Sequence, residues 1–131
     1  MDIQNLKDAI ALSGRIRHVF IATADAKGVP HIAVAGPIAM KGELVAISAW
    51  YCPQTLANIE KQPQVTIAVW DETSDAGFQL VGRCEKIEDI AVMDGYAPKA
   101  ESKAAYPQVE RRLLARVENV YYFTQAQHAD K

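Results

Sequence analysis

The segment Ser48-Ala49-Trp50-Tyr51-Cys52-Pro53-Gln54-Thr55-Leu56 carries residue types and spacing suited to holding an anion. An extended run leads into Pro53, and proline suits the first position of a helix, where its missing N–H costs nothing. Proline also biases Cys52 toward extended backbone, which fits a cap position. The N–H groups of Gln54, Thr55 and Leu56 then fall in a first turn that offers them no intrahelical acceptor. Together with the helix dipole and the Thr55 hydroxyl they form a cradle for a phosphate. The same pattern also describes an ordinary helix start in which Thr55 makes only a local bond, since every helix has such an end.

Other reactive residues support less. Cys52 and Cys84 form no C-x-x-C pair, which argues against a zinc site or a disulfide framework. Cys52 beside a helix N-terminus is open to a lowered pKa, or is simply a small cap residue. His18 and His31 are expected on neighbouring strands and within reach of each other, but they lack a third ligand, so no metal is expected. His31 as a proton donor has no further support. Nucleophile elbows, Gly-rich nucleotide loops and telling carboxylate pairs are all missing, which leaves hydrolysis without a basis. The formal charge of -2 and pI near 5.9 give no nucleic-acid footprint, and Arg111, Arg112 and Arg116 read as a solvated face. The N-terminus has no signal-peptide pattern and no apolar run is long enough to span a bilayer, so a cytoplasmic protein without membrane or nucleic-acid partners is expected.

The elements that must position this segment emerge from periodicity. All 131 residues are expected to form one domain. Ile3 to Leu12 is amphipathic at helical spacing, with Gly14 as its stop, and residues 1–14 form an N-terminal helix. Strands are expected at Arg17 to Ala24, His31 to Ala35, Leu44 to Ser48, Val65 to Trp70, Phe78 to about Glu88 and Arg116 to Thr124. The turn Asp25 to Gly28 makes the first two a hairpin, and Gly36-Pro37 ends regular pairing after the second. Pro53 to Lys61 reads as a helix stopped by Pro63. Ile90 to Met93 reads as a helical turn, Gln108 to Leu114 as a second short helix, and residues 125–131 as a frayed tail. Tyr121 and Tyr122 fall on opposite sides of their strand, placing one of them for a dimer partner. Six short strands and few helices predict a mainly β fold, a closed or nearly closed antiparallel barrel.

The order of these segments resembles the pyridoxamine 5'-phosphate oxidase-like, FMN-binding split β-barrel family. The resemblance rests on Val19 to Ala24 with Gly28-Val29-Pro30-His31, then Glu43 to Ser48, then Thr55-Leu56-Ala57-Asn58-Ile59 before Gln62-Pro63-Gln64-Val65. Gly77 to Gly82 and Val117 to Phe123 complete it. It implies a six-stranded antiparallel split β-barrel that forms a homodimer with FMN at the subunit interface. Val34, Ala35, Gly36 and Pro37 would line the isoalloxazine ring, with Ser48, Ala49 and Trp50 flanking the ring or ribityl chain. Gln54 and Thr55 would meet the phosphate, with Asn58 one turn further along. Gly36-Pro37 is otherwise a strand-end bulge, and Trp50 and Tyr51 are core or interface anchors if they do not stack on the flavin. Members often carry Arg or Lys just before the helix, where this chain has Pro53-Gln54, so a cation would come from elsewhere, Arg83 or Lys86 being the first candidates. The implied function is a flavin-dependent oxidoreductase acting on an unidentified small molecule or a nicotinamide, with no catalytic side chain assigned. The alternatives are an FMN-binding electron-transfer module, and a flavin-free barrel adapted to deazaflavin, haem or another ligand.

Overall fold

The computed structural model describes residues 2–50, 52–92 and 108–126. Helix α1 (Ile3–Ile16) begins at Asp2, whose carboxylate accepts from the N–H groups of Gln4 and Asn5. It buries Leu6, Ala9, Leu12 and Ser13. Gly14 does not stop it. The helix ends instead at Arg17, which takes the left-handed conformation (φ 81°) and donates its N–H to the Ser13 carbonyl, a glycine-type cap made by a bulkier residue.

Strands β1 (Val19–Ala24) and β2 (Pro30–Ala35) form the expected hairpin, with Gly28 at φ 86° in the turn. β3 (Ile38–Lys41) is a short strand that composition does not reveal, because its residues bury only Ile38. It pairs with β4 (Leu44–Trp50) across a turn in which Gly42 has φ 64°. Helix α2 (Pro53–Lys61) and strand β5 (Gln64–Asp71) come next, the latter burying Val65, Ile67 and Val69 in strict alternation.

Two long strands complete the sheet, β6 (Ala76–Val92) and β7 (Gln108–Phe123). Here two expectations fail. Ile90 to Val92 extend β6 rather than forming a helical turn, and Met93 lies outside the described residues. Gln108 to Leu114 are strand, not helix, because they pair with β6 on one side and, from Arg111 onward, with β4 on the other. Two ladders of backbone bonds outweigh the modest helix preference of Glu, Arg and Leu.

The seven strands among the described residues form one antiparallel sheet in the order β2-β1-β5-β6-β7-β4-β3. Its two edge strands, β2 and β3, are consecutive in the chain and separated only by Gly36 and Pro37. So short a link forces the sheet to curl until its edges nearly meet, which gives a barrel split at one seam. The interior holds Val19, Ile21, Ile47, Val65, Ile67, Leu80 and Leu113, with α1 and α2 contributing Leu6, Leu12, Leu56 and Ile59. The fold is thus mainly β, with seven strands among the described residues where six are expected.

Ser13 fastens the seam. Its hydroxyl is fully buried, donates to the Ile10 carbonyl at 2.8 Å and accepts from the Ile38 N–H at 3.1 Å. Ile38 comes directly after Pro37 at the start of β3, so the helix supplies the acceptor that an edge strand lacks.

Candidate functional site

Residues 50–58, where an anion cradle is expected, lie where β4 runs into α2. β4 carries one extra residue between Ile47 and Trp50, opposite Leu113 to Arg111 on β7. This bulge at Ser48-Ala49 bends the strand just before it leaves the sheet. Cys52 is extended (φ -138°, ψ 94°), Pro53 opens the helix, and the Cys52 side chain makes no capping bond. Burial pushes the Cys52 thiol up, so the cap-residue role fits and a reactive thiolate does not.

The first turn differs from expectation at Leu56. Its N–H donates to the Cys52 carbonyl at 3.1 Å, as the first intrahelical bond, and is not free for a ligand. Thr55 carries the strongest signal. It is fully buried in the first turn, and among the described residues its Oγ1 has no hydrogen-bond partner. A buried hydroxyl left without a partner costs about 1–3 kcal/mol. A phosphate oxygen at the helix start would supply the missing bond, so the residues present fit the phosphate end of FMN.

Gln54 and Asn58 are tied to one another. Gln54 Nε2 donates to Asn58 Oδ1 at 2.8 Å, and Asn58 Nδ2 donates to Thr23 Oγ1 at 3.0 Å. Asn58 and Thr23 are both buried, so this chain of bonds fastens α2 to β1. At the other end of the helix, Gln62 donates its side-chain amide to the Asp25 carbonyl. Asn58 therefore supports the position of the helix, and its side chain is already committed within the protein.

Val34, Ala35, Gly36 and Pro37 stand at the seam. Among the described residues β2 pairs only with β1, which leaves the other edge of its backbone unpaired within the described sheet. Ala35 is buried inside and Val34 is exposed on the outer face. β2 also touches β4 and α2. Ser48, Ala49 and Trp50 form the end of β4 that leads into α2, and Tyr51 lies outside the described residues.

The histidines do not meet. His31 pairs with Thr23 at the turn end of the hairpin, whereas His18 precedes Val19, which pairs with Ala35 at the opposite end, and its ring packs edge-on against Phe20 at 5.5 Å. No group of three metal-ligating side chains comes together among the described residues. The candidate cations are also displaced. Arg83 pairs with Gln64, beyond the C-terminal end of α2, and Lys86 Nζ lies 3.5 Å from Glu88. Arg112 and Arg116 are bound to Glu88 and Glu85, so that part of the basic cluster is neutralised on the sheet surface. Ser13 is a residue that sequence reasoning passes over, and Arg111, read there as part of a solvated face, has a buried Nε. Only the register of β3 and of β7 reveals them.

The outer face across β2, β1, β5, β6 and β7 aligns Val34, Phe20, Ala68, Gln79 and Tyr121 in one row. Phe20, Val34 and Tyr121 are 40%, 55% and 49% exposed, and Ile32 beside them is 64% exposed. Tyr122 turns the other way and packs edge-on against Phe78 at 5.4 Å. No helix among the described residues is long and apolar enough to cross a membrane.

Comparison with known proteins places this architecture. No curated protein matches the sequence. Among solved structures, an FMN-binding protein from Syntrophomonas wolfei subsp. wolfei superposes with a TM-score of 0.68 at 14% identity, over 97% of this chain and 91% of that one. An F420 reductase gives 0.59 at 19% identity, over 84% and 93% of the two chains. HutZ, the haem storage protein from Vibrio cholerae, gives 0.56 at 14% identity, over 88% and 92%. These likenesses are of fold. The family model described as pyridoxamine 5'-phosphate oxidase matches residues 6–124, nearly the whole barrel, and the chain belongs to that family.

Proposed function

We propose that this protein binds FMN as a homodimer and acts as a flavin-dependent oxidoreductase on a small molecule or a nicotinamide. The observation that carries this reading is the Thr55 hydroxyl, buried in the first turn of α2 without a partner among the described residues. Gln54 and Thr55 would hold the phosphate, and the backbone of 34–37 with Ser48, Ala49 and Trp50 would line the ring. Bound flavin supplies hydride and electron transfer, while the protein contributes binding, orientation and exclusion of water. The unpaired edge of β2 offers backbone N–H and C=O groups to a flat heteroaromatic ring, which needs both donors and acceptors along its rim.

The second subunit is argued from the outer face. Phe20, Ile32 and Val34 form an exposed apolar patch across β1 and β2, with Tyr121 further along the same face beyond Ala68 and Gln79, and monomers seldom leave such patches open to water. The patch borders the β2 edge, so a partner seated there would also cover the proposed flavin site.

A second reading, a deazaflavin- or haem-binding barrel, is favoured by one feature. Pro53-Gln54 puts no cation at the start of the helix, where a phosphate would benefit from charge. A visible spectrum of the purified protein separates the two. A yellow protein that releases FMN on denaturation supports the proposal, and bleaching by NADH or NADPH separates an oxidoreductase from an electron-transfer module. A colourless protein that fails to take up added FMN overturns it.

A further inference from the structure

We propose that Arg111 supplies the cation for the phosphate at the start of α2, with Asp89 holding the guanidinium until the phosphate arrives; this rests on the flavin reading above. Register gives the placement. Arg111 is the β7 partner of Trp50, the last residue of β4, and three residues later the chain reaches Pro53. Those three residues span no more than about 11 Å of extended backbone. An extended arginine side chain and a phosphate together bridge such a gap.

Facing supports it as well. Arg111 lies two residues before Leu113, which is fully buried, and alternate residues of a strand share a face. Its side chain therefore starts from the same face of β7 as the buried Leu113. Arg83, by contrast, sits at the far end of the helix, and Lys86 is 64% exposed beside Glu88.

The bonding of Arg111 is incomplete. Its Nε is buried and lies 3.1 Å from Asp89 Oδ1, but the angle is not that of a hydrogen bond, and among the described residues this N–H has no acceptor. Arg112 and Arg116 differ, since each donates a hydrogen bond through Nε, to Glu88 and Glu85. The Asp89 side chain is 62% exposed, so the pair is held weakly against solvent. A guanidinium has five N–H donors in a planar fork, which matches phosphate oxygens better than one misaligned carboxylate. Thr55 and Arg111 would then contribute one neutral and one charged donor to the same anion from two different elements.

The test compares FMN with riboflavin, which differ by the phosphate. Binding is measured by quenching of flavin fluorescence on titration with the intact protein, so no turnover is needed. Arg111→Ala is expected to weaken FMN about 10- to 100-fold, the range for a hydrogen bond to a charged group, and to leave riboflavin unchanged. Arg111→Lys should recover part of the loss, and Arg112→Ala should change neither ligand. Asp89→Asn should tighten FMN several-fold, because it removes the competing carboxylate. Equal loss of both flavins in Arg111→Ala, or no loss, overturns the assignment while leaving the flavin reading intact. So does an Asp89→Asn protein weakened as much as Arg111→Ala, which would mark the pair as purely structural. A wild-type protein that binds neither flavin overturns both.

Discussion

Replacing Thr55 by valine should move apo stability and FMN affinity in opposite directions. Valine matches threonine in shape and in helix preference, so the exchange mainly swaps the hydroxyl for a methyl group. The hydroxyl is buried with no partner among the described residues, so its removal relieves the cost of an unmade hydrogen bond and adds apolar contact. An apo-protein more stable by about 1–2 kcal/mol is expected. At this chain length that corresponds to a rise of roughly 3–8 °C in Tm, scaled from the usual entropy of unfolding. The same variant should bind FMN about 10-fold or more weakly, from the loss of a donor to a charged oxygen. Thermal unfolding of the apo-protein and a fluorescence titration with FMN measure the two effects on one preparation. A Thr55→Val apo-protein that is less stable would show that the hydroxyl already has a partner. Unchanged FMN affinity would show that the phosphate lies elsewhere. Either result removes the observation on which the functional proposal rests.

Gly82→Ala should be severely destabilising, because a Cβ there would stand 2.0 Å from the Arg116 carbonyl oxygen in the β6 bulge, and backbone cannot move aside as a side chain can. A loss of about 3 kcal/mol or more is expected from such overpacking, and a urea midpoint near wild type would refute it. The Glu88 carboxyl is held below the usual range chiefly by its hydrogen bond from Lys41, assisted by Lys86 and Arg112. A carboxyl with a depressed folded pKa stabilises above its unfolded value, and that contribution is lost as pH falls through the folded one. The Tm gap between wild type and Glu88→Gln should therefore be widest above about pH 4.5 and shrink below it, and a gap that grows on acidification would contradict the assignment. Phe20→Glu places a charge in the exposed apolar row, so sedimentation should shift from dimer to monomer, and a wild-type protein that already sediments as a monomer would refute the interface.

How far the fold can be read ahead depends on how local its causes are. Val65, Ile67 and Val69 alternate in the sequence as they do in the core, so β5 is legible from a short window. Glu110 to Leu114 has a composition that suits a helix, and only the presence of β4 and β6 on either side makes it a strand. β3 stays hidden because one buried residue in four leaves no pattern to detect. Arg17 ends α1 in a conformation usually left to glycine, so Gly14 is a false stop. The site divides in the same way. Pro53 and Thr55 can be placed by rules for helix starts, which are local. Spacing along the helix points Asn58 at the ligand, but its amide bonds to Thr23, 35 residues earlier, and no helix rule can see that contact.

The seam explains why the proposed ligand site and a fold constraint coincide in this protein. Gly36-Pro37 joins the two edges of one sheet, and proline lacks the N–H that would let pairing continue across the corner. The β2 edge is therefore left unpaired by the same link that closes the barrel. Ser13 repairs the loss on the β3 side by accepting the Ile38 N–H, and no described residue does the same along Val34 and Ala35. Unpaired strand edges are hazardous when left open, and proteins cover them with another element, a partner or a ligand. Here α2 is fastened to β1 through Asn58 and to the hairpin turn through Gln62, it also touches β2, and its first turn carries the buried Thr55 hydroxyl. A ligand with a flat polar ring and a phosphate would satisfy both ends of such a site together, the ring along the strand and the phosphate at the helix. Neither end alone specifies a flavin; the requirement that one molecule serve both is what narrows the choice.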